Sequence, residues 1–237
     1  VSNYLMQRTA DAFPGLENKF STVYNAVDGE YYSSKNRVPY SANVKSLIGG
    51  ESDYLLYVGR LVEIKGVHVL IEAFRQVSKQ FSELKLVVCG SSFFEGAPIT
   101  EYQRSLLAQA SDMESSIIFT GYLGQETIRE LYAESTCVVV PSIWDEPQGM
   151  VALEAMASAS VLVASKVGGI VELVEDDVDG YLVPAGDADA LANRLISVLM
   201  CPDKNSQLRV RAAEKVNLNY RWEGVARKVE NLLVEGL

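Results

Sequence analysis

The sequence predicts an α/β fold, a Rossmann-like doubly wound parallel sheet of about six strands with helices on both faces. Two observations carry this prediction: short apolar runs recur along the chain, and helical patterns separate them. Continuous apolar runs are typical of strands buried on both faces of a parallel sheet. Such sheets bind ligands beyond the carboxyl ends of their strands, so the loops after the runs are the candidate site.

The predicted strands follow one another in the order of the chain. The first run reads YLLYV and ends at Gly59, and the second reads LKLVVC and ends at Gly90. The six runs occupy residues 54–58, 84–89, 116–119, 136–140, 161–164 and 181–183.

Apolar residues at helical spacing fill the gaps between the runs. They line one face over 67–77, 128–132 and 191–199, and Asp187 is a candidate N-cap for the last of these helices. Residues 149–158 (GMVALEAMAS) are apolar on nearly every side, which predicts a largely buried helix. The tail from residue 203 predicts two helices separated near residues 217–220.

The first fifty residues do not continue this alternation. SNYLMQRTADAF predicts a helix, FSTVYN predicts a strand, and the polar stretch over 28–52 is typical of a linker or long loop.

Composition excludes several classes of function. The chain has 237 residues, 48% of them hydrophobic, and a net charge of −10, which disfavours binding to nucleic acid or to anionic membranes. No apolar run reaches the length of a membrane span. Three widely spaced cysteines without a CxxC pattern indicate free thiols and a reducing, cytoplasmic compartment. His68 is the single histidine and is expected at the surface, so a multi-histidine metal site is excluded.

Neither common phosphate-binding fingerprint is present, since GxGxxG and GxxxxGK[ST] are both missing. Instead, the loop after the first predicted strand carries Arg60 and Lys65. Arg offers a planar fork that matches phosphate oxygens, and Lys offers a compact charge. These two side chains either neutralise a phosphate or are solvated loop cations, and their spacing fits both interpretations.

The segment PSIWDEPQGMVALEAMA follows the fourth predicted strand. A helix beginning near Gly149 would direct the free N–H groups of Gly149, Met150 and Val151 at an anion. Glu154 lies roughly 7 Å further along that helix, within reach of a sugar next to such a phosphate. Alternatively, Glu154 occupies a narrow solvent-exposed stripe.

Glu146 precedes the helix and is either a solvated loop carboxylate or a hydrogen-bonding partner of ligand hydroxyls. Trp144 beside it is expected to pack rather than to stack on a ligand. Gly168 and Gly169 open a short predicted helix, either near a ligand or as a plain tight turn. The seven acidic residues within 171–190 predict a solvated acidic face.

Several motifs together resemble a known family. GRLVEIKG, FTGYLGQETIRELYAESTCVVVPS, PSIWDEPQGMVALEAMA with its two glutamates, and VGGIVELVEDDVDGYLV occur in one order. They resemble the carboxyl-terminal, donor-binding half of GT-B-fold retaining glycosyltransferases, most closely family four (group 1). The likeness covers roughly residues 53–200, and the tail YRWEGVARKVENLL is similar to the family's last helix.

The resemblance implies roles for the matching residues. Arg60 and Lys65 would neutralise the donor diphosphate and, with Glu146 at the donor sugar's hydroxyls, form the catalytic group. Glu154 would hold the ribose hydroxyls. Backbone at Gly149, Met150 and Val151 would bind diphosphate and sugar, and the loop at Tyr122 and Leu123 would touch the base. No metal and no cofactor are implied.

Two departures from the family pattern matter. Gln148 stands where the family most often has Phe. The resemblance also assigns 1–50 to the end of an amino-terminal domain and its linker, 51–218 to the nucleotide-sugar-binding domain and 219–237 to a terminal helix. We therefore expect a fragment that lacks most of its acceptor half and is inactive, or nearly so, alone.

The function expected is transfer of a hexose from a UDP- or GDP-linked sugar to a glycan, lipid or protein acceptor, as implied by the resemblance. The partners are the donor, the acceptor and the chain's own amino-terminal domain. Two alternatives stay open: a non-catalytic assembly or coat protein that retains the fold, and a nucleotide-sugar epimerase.

Overall fold

The computed structural model describes residues 1–33, 41–50, 53–91 and 98–235. Parts of the predicted linker, residues 34–40 and 51–52, therefore lie outside the described residues. Within the described part, six strands form one parallel sheet in the order β3-β2-β1-β4-β5-β6. The strands are β1 Tyr54–Val58, β2 Lys85–Cys89, β3 Ile117–Gly121, β4 Cys137–Val140, β5 Leu162–Ser165 and β6 Tyr181–Val183. The predicted fold class is confirmed.

Helices connect and cover these strands. They are α1 Asn3–Ala12, α2 Ala42–Ile48, α3 Val67–Val77, α4 Glu101–Gln109, α5 Gln125–Glu134, α6 Met150–Ala157, α7 Ile170–Leu173, α8 Ala188–Met200, α9 Pro202–Asn219 and α10 Trp222–Glu235. Short 3₁₀ turns span Glu17–Lys19 and Glu63–Lys65. The Asp187 carboxylate caps α8 by accepting from the Ala190 N–H, as its position predicts.

The sheet separates two apolar cores. On one face, α3 and α8 pack together over Leu55, Leu86 and Val163. On the other, α6 packs against α9, with Leu56, Val138 and Leu162 beneath. Burial on both faces explains the unbroken apolar runs, because neither side of a central strand meets water. No helix in the described residues is both long and apolar enough to cross a bilayer.

The sequence-based expectations for the amino-terminal region are partly wrong. The helix over SNYLMQRTADAF is confirmed as α1, but FSTVYN forms no strand. Asn25 instead exchanges both of its backbone hydrogen bonds with the Gln148 side chain, and the Val27 N–H donates to the Tyr220 carbonyl. These partners satisfy the extended backbone without a sheet ladder. The predicted linker also contains a helix, α2, capped by the Ser41 hydroxyl.

The acidic run over 171–190 is largely solvated, as expected, because five of its seven acidic residues are exposed; Glu172 and Asp179 are the exceptions. Asp179 is 3% exposed and pairs with Lys215 at 2.7 Å. Glu172 accepts from the Asn3 and Tyr4 N–H groups at the start of α1 and from the Tyr24 hydroxyl. Four of the exposed acids also accept hydrogen bonds: Asp176 and Asp187 from backbone N–H groups, Asp177 from Arg194 and Lys204, and Asp189 from the Gln76 side-chain amide.

Candidate functional site

The loops after β1 and β4 meet at the carboxyl edge of the sheet. The Ile143 N–H donates to the Ile64 carbonyl at 2.9 Å, which joins the two loops. Gly66 has a φ of 70°, and a Cβ there would lie 1.9 Å from the Pro141 carbonyl oxygen. Only glycine permits this approach, so Gly66 brings Lys65 to the β4 loop.

Lys65 and Glu146 form a buried ion pair across this junction. Lys65 Nζ lies 2.5 Å from Glu146 Oε1, and the Ser142 hydroxyl donates to the same oxygen at 2.6 Å. Glu146 is 5% exposed, so it is not a solvated loop carboxylate. The Lys65 ammonium also lies 5.7 Å from the centre of the Trp144 ring, a cation–π contact. Lys65 is thus not a free loop cation.

The paired glycines after β5 hold the backbone of this loop. The Gly169 N–H donates to the Glu146 carbonyl at 2.7 Å. A Cβ at Gly168 would lie 2.3 Å from the same carbonyl oxygen. The two glycines therefore pack directly against the backbone of the Glu146 loop. They open α7, as the sequence indicates, and their close contact is with protein backbone.

A cavity of about 250 Å³ opens beside the ion pair. Its lining includes five predicted site residues, Lys65, Glu146, Gly149, Met150 and Val151. Gly149 is the N-cap of α6 with a φ of 88°, and no side chain caps this end. The first N–H groups of a helix lack intrahelical acceptors, so α6 presents donors and partial positive charge at the cavity.

A second cavity of about 220 Å³ adjoins the first. Arg60, Tyr122 and Leu123 line it, and Val58 and Gly59 are shared by both cavities. Arg60 is exposed, and Tyr122 is 56% exposed. The predicted phosphate cation and the predicted base loop therefore lie at one end of a continuous cleft, with Lys65 and α6 at the other.

Glu154 has a different environment from the other predicted site residues. It lies on α6, one turn after Met150 and Val151, but lines neither of these two cavities. Its Oε2 accepts from the Tyr132 hydroxyl at 2.9 Å. Burial raises the pKa of Glu154, and the hydrogen bond from Tyr132 lowers it in part. Glu154 is half-buried and does not occupy a solvent stripe.

Two residues that hold the site were not assigned such a role from the sequence. Tyr132 appears there only as one member of an apolar helix face. Gln148, noted above as a departure from the family pattern, is 2% exposed. Its amide accepts from the Asn25 N–H at 2.7 Å and donates to the Asn25 carbonyl at 3.0 Å. The sequence could have marked Gln148 as unusual, because it is a polar residue just before an apolar helix. Nothing in the sequence marks Asn25 as its partner.

His68 also departs from expectation, because it is half-buried, with Nδ1 2.8 Å from the Tyr102 hydroxyl. Of the cysteines, Cys89 and Cys137 are buried and Cys201 is exposed. Burial raises the pKa of Cys89 to about 11, which makes this thiol a poor nucleophile although it borders the second cavity.

A parallel sheet of this strand order, with a cleft at its carboxyl edge, defines a Rossmann-like ligand-binding domain. The family model described as "Glycosyl transferases group 1" matches residues 42–215. The chain therefore belongs to the group 1 glycosyl transferases, and its fold is that of the carboxyl-terminal domain of a GT-B glycosyltransferase.

Three curated relatives illustrate the range of the family. An uncharacterized glycosyltransferase of Methanocaldococcus jannaschii is 29% identical over 98% of this chain and 58% of its own length. Spore coat protein SA of Bacillus subtilis is 28% identical over 98% and 62%. Lipopolysaccharide 1,2-N-acetylglucosaminetransferase of Salmonella typhimurium is 34% identical over 77% and 48%. The chain spans about half to three fifths of these relatives.

Solved structures support the fold. A glycosyltransferase of Rickettsia africae superposes with a TM-score of 0.87 at 21% identity, over 99% of this chain and 62% of that one. Anabaena HepE in complex with UDP superposes with a TM-score of 0.84 at 24% identity, over 97% and 61%. At these identities the likeness concerns the fold.

Proposed function

We propose that this chain is the donor-binding half of a retaining hexosyltransferase that uses a nucleotide-diphosphate sugar. One observation carries the proposal: Arg60, Lys65 and the uncapped start of α6 converge on one cleft at the carboxyl edge of the sheet. Group 1 membership and the UDP complex of HepE support a nucleoside diphosphate as the ligand.

In the proposed arrangement, the diphosphate lies across Gly59 between the two cavities. Arg60 approaches it from the exposed side, and the N–H groups of Gly149, Met150 and Val151 approach it from α6. Lys65 adds positive charge, and its ion pair with Glu146 fixes it in place before any ligand arrives. Such groups stabilise the charge that develops on the leaving diphosphate without reorganising during the reaction.

The other predicted site residues bind the sugar, the ribose and the base of the donor. Glu146, held by Lys65 and Ser142, accepts hydrogen bonds from hydroxyls of the donor sugar. Tyr122 and Leu123 contact the base at the far end, and Glu154 binds the ribose between base and diphosphate. The reaction needs no metal in this proposal, because fixed cations and helix N–H groups supply the positive charge.

The acceptor, a glycan, lipid or protein, would bind on the chain's own amino-terminal domain. The chain spans only about half to three fifths of its curated relatives, which supports the proposal that residues 1–50 end that domain. The described chain alone would then bind donor with little or no transfer. A cytoplasmic location stays a prediction from the sequence.

Titration calorimetry with UDP, GDP, ADP and uridine tests the proposal. We expect at least one nucleoside diphosphate to bind, and uridine to bind far more weakly because it lacks the phosphates. Arg60→Ala should weaken binding of the diphosphate by about 5- to 20-fold at low salt, and the loss should shrink at high salt because the contact is exposed. Arg227→Ala, which removes a cation from α10, is the matched control.

Binding of no nucleoside diphosphate, or equal binding of UDP and uridine, would reject the donor site. The first result would favour the non-catalytic alternative, which has specific support because one relative is named a spore coat protein.

A further inference from the structure

Among the described residues, Tyr132 is the one hydrogen-bond partner of the Glu154 carboxylate, and it lies 22 residues away on α5. The Tyr132 side chain is fully buried. Its hydroxyl donates to Glu154 Oε2 at 2.9 Å, while Oε1 has no hydrogen-bond partner among the described residues. The carboxylate is therefore held on one oxygen and open on the other.

The backbone of Tyr132 is itself fixed from two sides. Its carbonyl accepts from the Ser160 hydroxyl at 2.5 Å and from the Ser135 hydroxyl at 3.0 Å, and both serines are buried. The Tyr32 ring packs edge-on against the Tyr132 ring, with centroids 6.0 Å apart. Neither the ring nor the main chain of Tyr132 is free to shift, so the direction of its hydroxyl is preset.

A preset hydrogen bond reduces the conformational entropy that Glu154 loses when it binds a ligand. The bond also favours the ionised carboxylate, which accepts hydrogen bonds from hydroxyl groups more strongly than the protonated acid does. Burial acts in the opposite direction and raises the pKa of Glu154. Tyr132 therefore counters the effect of burial at this one side chain.

We propose that Tyr132 is a positioning residue that holds Glu154 Oε2 so that Oε1 faces the ribose hydroxyls of the bound nucleotide. The proposal rests on the proposed function, since it assumes that Glu154 binds the ribose. It adds a residue that never touches the ligand but sets how strongly the site distinguishes a ribose from a deoxyribose.

The test compares two ligands that differ by one hydroxyl group. Calorimetry would measure the binding of the tightest binder among UDP, GDP and ADP and of its 2′-deoxy counterpart, with the parent chain, Tyr132→Phe, Glu154→Gln and Tyr181→Phe. Tyr181→Phe is a matched control, because Tyr181 is also buried and its hydroxyl donates to Asn205 Oδ1 in the core on the other face of the sheet from Tyr132.

We expect the parent to prefer the ribonucleotide and Tyr132→Phe to reduce that preference by about 2- to 10-fold, the range of one hydrogen bond. Glu154→Gln should reduce the preference at least as much, and Tyr181→Phe should leave it unchanged. A general loosening of the fold would weaken both ligands equally and leave their ratio intact, so the ratio separates positioning from stability.

The outcomes are distinguishable. If Glu154→Gln lowers the preference and Tyr132→Phe does not, the positioning role is wrong and the ribose assignment stands. If Glu154→Gln leaves the preference intact, the ribose assignment is wrong and the inference falls with it. Should Tyr132→Phe not fold, Ser160→Ala releases the backbone of Tyr132 and must lower the same preference, or the inference is rejected.

Discussion

Glu146 and Glu154 lie eight positions apart, yet their surroundings differ in kind. Glu146 is 5% exposed and has a cation, Lys65, and a hydroxyl, Ser142, on one oxygen. Glu154 is half-buried and has a neutral partner, Tyr132. The protein thus compensates the charge of Glu146 internally and leaves that of Glu154 uncompensated. The cation fixes the position of the Glu146 carboxylate in its loop, whereas Glu154 keeps one carboxylate oxygen without a hydrogen-bond partner among the described residues.

The largest effect on stability is expected when Glu146 loses its cation, Lys65. Lys65→Met leaves the Glu146 charge buried without its cation, which should lower the free energy of unfolding by about 3–5 kcal/mol. Urea denaturation would measure it.

The double variant Lys65→Met/Glu146→Gln removes both charges and should recover most of that loss. If the single and double variants are equally unstable, the pair does not compensate charge as described, and the contrast with Glu154 is lost.

A smaller effect is expected at Gln148, which lies between the two glutamates. Gln148→Ala removes two hydrogen bonds to the Asn25 backbone and should lower the free energy of unfolding by about 1–3 kcal/mol. Hydrogen exchange at the Asn25 amide should accelerate in this variant. Unchanged exchange there would show that the contact does not hold the two segments together.

The smallest effect on stability is expected at Glu154, and it has the opposite sign. A raised folded pKa means that the folded state binds the proton more tightly than the unfolded state, so stability falls as pH rises through that pKa. Glu154→Gln removes the ionisation and should raise the urea midpoint slightly at pH 7.

The gain should vanish below the ordinary pKa of a glutamate, where the parent is protonated in both states. A midpoint shift that is the same at pH 4 and pH 7 would contradict this, because it would not depend on ionisation.

The sheet was predictable because its signal is local. Each strand is a run of three to five mostly apolar residues, and burial on both faces imposes that pattern without regard to the partner strand. The missed helices have a different local signal. Thr100 and Gln103 form a capping box at α4, and Ser41 and Gly49 bound α2, so caps rather than apolar periodicity mark both.

The sequence indicated individual residues of the candidate site but not which of them contact one another. Lys65 and Glu146 are 81 residues apart and Gln148 and Asn25 are 123 apart. No local pattern links such residues, because the fold alone brings them together. The wrong strand over FSTVYN has the same cause: its backbone is satisfied by a side chain from another loop, which a single segment does not reveal.

The hydrogen bonds between Asn25 and Gln148, together with those from the start of α1 to Glu172, limit where the polypeptide can be cut. A fragment that begins at residue 53 would lack these partners. The amide of Gln148 and the carboxylate of Glu172 would then face solvent. A recombinant fragment intended for ligand soaking should therefore retain the segment that carries α1, Asn25 and Val27, even though it adds no strand to the sheet.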